Sequence, residues 1–295
     1  MTIALRFALY VDLMLLFGMA GYALHAGGKT KAVGRGAMGW LALAGVALSV
    51  AAFAFMIADM MGGSLGDIDG ETLKFVLQDS SVGTALIVRL AALLLLLLLV
   101  LVAPHWATAW VGVALAGIAL GSLAWLGHAA ASEGLPGTLH RAGDVVHLLA
   151  AGAWLGALVV FMSILVQARG SPAALEEARA ALGRFSFPGT LIVALLVATG
   201  AFNLLMIVGW DGLLHLPATR YGQLLIAKLT LFLVMLGLAA SNRWRLTPAL
   251  ERGLADGETD GAAKALRLSI QAEVTAFVAI LLLVGWLGTL DPRAA

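Results

Sequence analysis

Apolar residues fill the chain in long runs, and polar residues gather in the gaps between them. A helix that crosses a bilayer needs about 20 mostly apolar residues. Eight runs reach that length, near 3–25, 37–61, 80–103, 107–127, 142–166, 185–208, 223–246 and 266–290. The pattern predicts an all-α membrane bundle of about eight transmembrane helices, forming a single integral membrane domain over 1–295. Most connections are short. The longer ones are 62–79, 167–184 and 243–264, and the last reads as a mobile loop because Gly253, Gly257 and Gly261 stand among its charges.

Composition points the same way. The chain is 61% hydrophobic and 12% charged, where a soluble domain is about half apolar and about a quarter charged. There is no Cys, which excludes disulfides, thiolate metal sites and Cys nucleophiles. Net charge is +1 with no long basic run, so nucleic acid is not an expected partner and the lipid bilayer is.

Charge placement orients the bundle. Lys29, Lys31 and Arg35 fill the first connection, Arg169, Arg179 and Arg184 the fifth, and Arg243, Arg245, Arg252 and Lys264 the seventh. The second connection is acidic instead, with Asp67, Asp69, Glu71 and Asp79 against Lys74. Odd connections are therefore expected on the cytoplasmic side and both termini outside. The first run is read as a retained helix, because its basic cluster follows the apolar stretch.

With orientation set, polar residues acquire a depth. The fifth run opens with His140, Asp144 and His147, whose i, i+4, i+7 spacing puts them on one helix face. His128 ends the fourth run, Met56, Asp59, Met60 and Met61 end the second, and Asn203 and Met206 end the sixth. Four helices thus bring His, Met, Asp or Asn to a single outer layer. Imidazole with thioether and without thiolate suits copper, Met favouring Cu(I) and His accepting either Cu(I) or Cu(II). The candidate metal residues are His128, His147, His140, Met56, Met60 and Asp144, with Asp144 one turn from both imidazoles and able to orient them.

Buried charge is the second signal, since an ionisable group deep in a span is costly unless paired or functional. Asp12 and Arg89 lie at matching depth, roughly 13 Å from the outer ends of their runs at about 1.5 Å per residue. They form either a structural pair or part of a pathway, together with Asp59, Asn203, Met206 and Lys228. Lys228 could pair with Asp79 or Asp144, and Glu273 could meet Lys264 or Arg267. Gly18/Gly21 and Gly117/Gly121 permit close helix approach. No Walker A motif or phosphorylated-Asp motif occurs, so a transporter or metal-binding membrane protein is expected rather than an ATP-driven enzyme.

Several stretches carry a family resemblance. They are LRFALYVDLMLLFG (5–18), MIADMMGGSLGDID (56–69), SVGTALIVRLAAL (81–93), GHAAA (127–131), HRAGDVVHLLAAGAWLGAL (140–158), ATGAFN (198–203), RYGQLLIAKLTLF (220–232) and SNRWRLTP (241–248). In this order they resemble the bacterial copper-resistance protein D family. The resemblance implies a multi-pass protein of the bacterial inner membrane that takes copper from the periplasm towards the cytoplasm. It also implies a separate periplasmic copper chaperone of the CopC type as partner. By motif it points to His128, Asp144, His147, Met56 and Met60. Two other readings stay open: a b-type cytochrome with haem b held by His128 and His147, and a copper sensor or chaperone-docking scaffold that transports nothing.

Overall fold

The computed structural model describes residues 2–27, 34–102, 105–126, 134–168 and 171–291, the side chains of 105–108 and 211 excepted. The described chain is all-helical. It runs α1 (Ile3–His25), α2 (Arg35–Met61), α3 (Gly70–Asp79), α4 (Ser81–Val102), α5 (His105–Gly121), α6 (Gly134–Gln167), α7 (Pro172–Gly212), α8 (Arg220–Ser241), α9 (Thr247–Asp256) and α10 (Asp260–Leu287). Seven of these helices are long and apolar enough to cross a bilayer, namely α1, α2, α4, α6, α7, α8 and α10. A shorter apolar helix, Ala109–Trp125, stands where the fourth run was expected. It narrows to a 3-10 turn at Ser122–Trp125.

Two short helices occupy connections. Asp69 caps α3 by accepting from Thr72 N at 2.7 Å. The expected mobile loop at 243–264 is corrected: a π turn, Asn242–Leu246, leads into α9, which ends at Gly257 in the left-handed region (φ 79°). Glycine takes that conformation without strain, so here the glycine is a helix stop. Helix α7 also starts earlier than hydropathy suggested, because 172–184 is helical but amphipathic.

Helix α1 is central and packs on α2, α5, α6 and α10. Its tightest seam is with α6. A Cβ on Gly18 would fall 2.0 Å from Gly152 O, and one on Gly156 would fall 2.1 Å from Gly18 C, so these backbones touch and glycine is obligatory. Gly21, the other residue of the expected pair, meets nothing within 4 Å. Helix α7 packs chiefly on α6, and α8 chiefly on α10. A cleft is left between α7 and α8.

Candidate functional site

Helix α6 organises the site through two of its faces. Gly152 and Gly156 fix one to α1. The other carries His140, Asp144, His147, Ala151 and Trp154, spaced 4, 3, 4 and 3 residues apart, and all five line one cavity of about 470 Å³. The α1 seam brings Tyr10 and Met14 to its wall, α7 adds Gly200 and Asn203, and α8 adds Tyr221 and Lys228. The rest is apolar. The polar groups are therefore concentrated on the α6 stripe and the residues facing it.

Hydrogen bonds orient that stripe. His147 Nδ1 lies 2.9 Å from Thr199 Oγ1, and the Thr199 hydroxyl donates to Leu195 O at 2.5 Å. With its proton committed to that carbonyl, the Thr199 oxygen accepts from Nδ1–H, which leaves the lone pair on Nε2. An imidazole anchored through one nitrogen and open at the other is how proteins present His to a metal. Asn203 Nδ2 donates to Asp144 Oδ1 at 3.2 Å, tying α7 to α6, while Asn203 Oδ1 is buried without a hydrogen-bond partner. Lys228 shares the cavity with Asp144 and interacts with its charge. Near one end Arg6 Nη1 donates to Gly288 O at 2.8 Å, locking α1 to the end of α10.

The single layer expected from sequence divides. His140, Asp144, His147, Asn203 and Lys228 come together at the cavity. Met56, Asp59, Met60 and Met206 do not line it. Met56 packs beside Phe53, Ile57, Val76 and Leu86 between α2, α3 and α4, while Met60 is 70% exposed. The reason is rotational: depth along a helix follows from sequence, but the direction a helix end faces is set by its neighbours, and α2 packs on α1 and α4. His128 lies outside the described residues. Among the described residues, no three of His, Cys, Asp and Glu converge as a ready-made metal set.

The expected meeting of Asp12 and Arg89 is also corrected. Arg89 is 1% exposed; its Nε donates to Ser122 Oγ at 2.8 Å and its Nη2 to Ser122 O at 3.3 Å. It thereby pins α4 to the end of α5, where carbonyls lose their helical partners. Asp12 Oδ2 is buried against Gly45 of α2 and has no hydrogen-bond partner. Lys228 lies with Asp144 and not with the exposed Asp79. Glu273 meets neither Lys264 nor Arg267: Asn242 Nδ2 donates to its Oε1, and the Trp154 indole N–H interacts with the same carboxylate. Trp154 itself is buried.

Thr199, Tyr10 and Arg6 were missed in the sequence. For Thr199 a signal existed, since it stands four residues before Asn203 and thus on the same face of α7. Tyr10 and Arg6 carried none, because their relation to α6 depends on the glycine seam.

A cavity with a polar stripe, walled by helices long and apolar enough to cross a bilayer, marks the chain as a polytopic helical membrane protein. Its first 138 residues match the family model "Copper resistance protein D-like, N-terminal domain", and residues 179–287 match "Copper resistance protein D". The chain is 37% identical to Copper resistance protein D of Pseudomonas syringae pv. tomato, over 99% of this chain and 97% of that one. It is 32% identical to the inner membrane protein YebZ of Escherichia coli K12, over 58% of this chain and 55% of that one. No solved structure matches it. The chain belongs to the copper resistance protein D family. Neither family description nor relative name refers to haem.

Proposed function

We propose that this protein admits copper from the periplasm into the α6–α7–α8 cavity and passes it towards the cytoplasm. Copper is the cargo. The observation that carries the reading is the His140–Asp144–His147 stripe, which lines a cavity in a chain of a copper resistance family. His147 Nε2 is the leading ligand, because Thr199 holds its other nitrogen. Met14, buried in the same wall, supplies a thioether suited to Cu(I). Asp144, fixed by Asn203, offsets the cation's charge. His140 adds a second imidazole near the cavity, and His128 belongs to the same reading through the GHAAA motif. The positive-inside bias and the family support one eight-span domain in the inner membrane with both termini periplasmic, the shorter helix Ala109–Trp125 being the eighth span. A periplasmic copper chaperone would deliver to this side.

Metal analysis and optical spectra of the purified protein test the reading. His147→Ala removes copper retention. Thr199→Val leaves the imidazole in place but lowers affinity by about tenfold, the scale of losing a group that orients a ligand. Retention of copper by His147→Ala at the wild-type level sinks the assignment.

A further inference from the structure

A second cavity, of about 480 Å³, lies further along the same cleft. It is lined by later turns of α6, earlier turns of α7 and the end of α8, so the two cavities follow one another along the bundle. Trp154 and Leu236 line both. Trp154 meets Phe232 edge-on at 6.0 Å, and these bulky side chains form the layer between the cavities.

The polar groups of the second cavity are unlike those of the first. Glu273 is 2% exposed and Asn242 8%. Asn242 Nδ2 donates to Glu273 Oε1, but Asn242 Oδ1 is buried with no hydrogen-bond partner. Arg243, the cation in this wall, is committed elsewhere, donating to Ser186 O at 3.2 Å and Thr190 Oγ1 at 2.5 Å. Among the described residues no ion pair joins it to Glu273. Asn242 opens the π turn Asn242–Leu246, a widened form of helix that recurs at functional sites because it is not the lowest-energy packing. Glu273 takes hydrogen bonds from Asn242 and Trp154 but has no ion pair among the described residues, and such a carboxylate and an unpartnered amide oxygen are both costly inside a membrane bundle. They make sense together as oxygen donors to a cation.

We propose that the two cavities are consecutive halves of one pathway, separated by the Trp154–Leu236 layer, and that Glu273 with Asn242 Oδ1 is a cation-binding station in the second half. The inference rests on the copper reading above and extends it to the release side. Oxygen donors hold a soft copper ion less tightly than imidazole and thioether do. A cation crossing the Trp154 layer therefore exchanges a tighter site for a looser one, which favours departure.

The absence of native Cys makes sided labelling clean. Membrane vesicles of both orientations carrying either Ala201→Cys, in the first cavity, or Ala240→Cys, in the second, are treated with a charged, membrane-impermeant thiol reagent. The expected result is reaction of the two variants from opposite sides of the membrane. Reaction from the same side, or none at Ala240→Cys, overturns the two-half pathway. The station is tested with copper(I), prepared from copper(II) chloride and excess ascorbate: Glu273→Gln proteoliposomes lose copper flux, Glu273→Asp recovers part of it, and purified Glu273→Gln unfolds at the wild-type temperature. Full flux in Glu273→Gln, absence of flux in wild-type vesicles, or a clearly lowered unfolding temperature in Glu273→Gln overturns the station, the last marking Glu273 as a brace. Failure of the copper reading shows separately, as copper retention by His147→Ala with the labelling pattern intact.

Discussion

The start of α6 and the end of α2 carry the same kind of side chains, soft or ionisable groups one helical turn apart, yet the fold treats them oppositely. On α6 the neighbouring face is stitched to α1 through Gly18, Gly152 and Gly156, so the His140–Asp144–His147 stripe points into a walled space. On α2 the end packs with α3 and α4 through Phe53 and Ile57, and Met60 is left at the surface. A cluster of ligand-type residues becomes a site when another face of the same helix is pinned. The seam, more than the stripe, distinguishes the two regions.

The largest expected effect follows from breaking that seam. In Gly156→Ala the new methyl group would overlap Gly18 backbone, and no rotamer change can relieve a backbone clash. The helices must part, at a cost of about 3 kcal/mol, the upper range for overpacking a core. Thermal unfolding in detergent should show a clear loss of stability, with copper retention falling alongside. Gly21→Ala, one turn from Gly18 but with no atom within 4 Å, is the matched control and should unfold close to wild type. Equal behaviour of the two variants would remove the seam from the comparison.

Much of this was legible in the chain, for identifiable reasons. The α6 stripe was readable because helical periodicity alone places His140, Asp144 and His147 on one face. The spans were readable because bilayer thickness sets their length. What escaped depends on contacts between helices. Arg89 and Asp12 share a depth, but Arg89 finds the end of α5 and Asp12 finds Gly45. Glu273 meets Asn242 and Trp154 instead of basic residues on its own helix. Helix α9 was hidden by Gly253 and Gly257, which look like loop residues; Gly257 is the stop, while Gly253 sits where a Cβ would lie 2.5 Å from Glu258 O.

The second effect is smaller and probes the α2 end directly. Met56→Leu with Met60→Leu conserves volume, so stability should change by less than about 1.5 kcal/mol. Copper retention by the purified double variant should match wild type, because neither methionine lines the α6 cavity. A clear fall in bound copper would return the α2 end to the site and erase the contrast between the regions.

The smallest effect lies in the connection that follows α2, and it concerns acid. Asp67 Oδ2 accepts from Ser64 N at 2.7 Å and Ser64 Oγ at 2.8 Å, and Asp69 accepts from Thr72 N and Thr72 Oγ1 at 2.7 and 2.8 Å. These donors favour the ionised carboxylates and hold both groups below the usual range. A depressed folded-state value means that the stabilisation is complete above the unfolded carboxylate range, near about pH 4. It is lost as pH falls through the lower folded values. Amide exchange over 70–79 should therefore quicken, relative to its intrinsic rate, on strong acidification, since the α3 cap weakens when Asp69 is protonated. Asp69→Asn keeps an oxygen acceptor at the cap and should remove most of this acid response while leaving α3 capped near neutrality. The turns of α6 around Gly152 and Gly156, which meet α1 through backbone contacts that carry no titrating group, should keep their protection across the same pH change; loss of protection there first would overturn the ranking of the two regions.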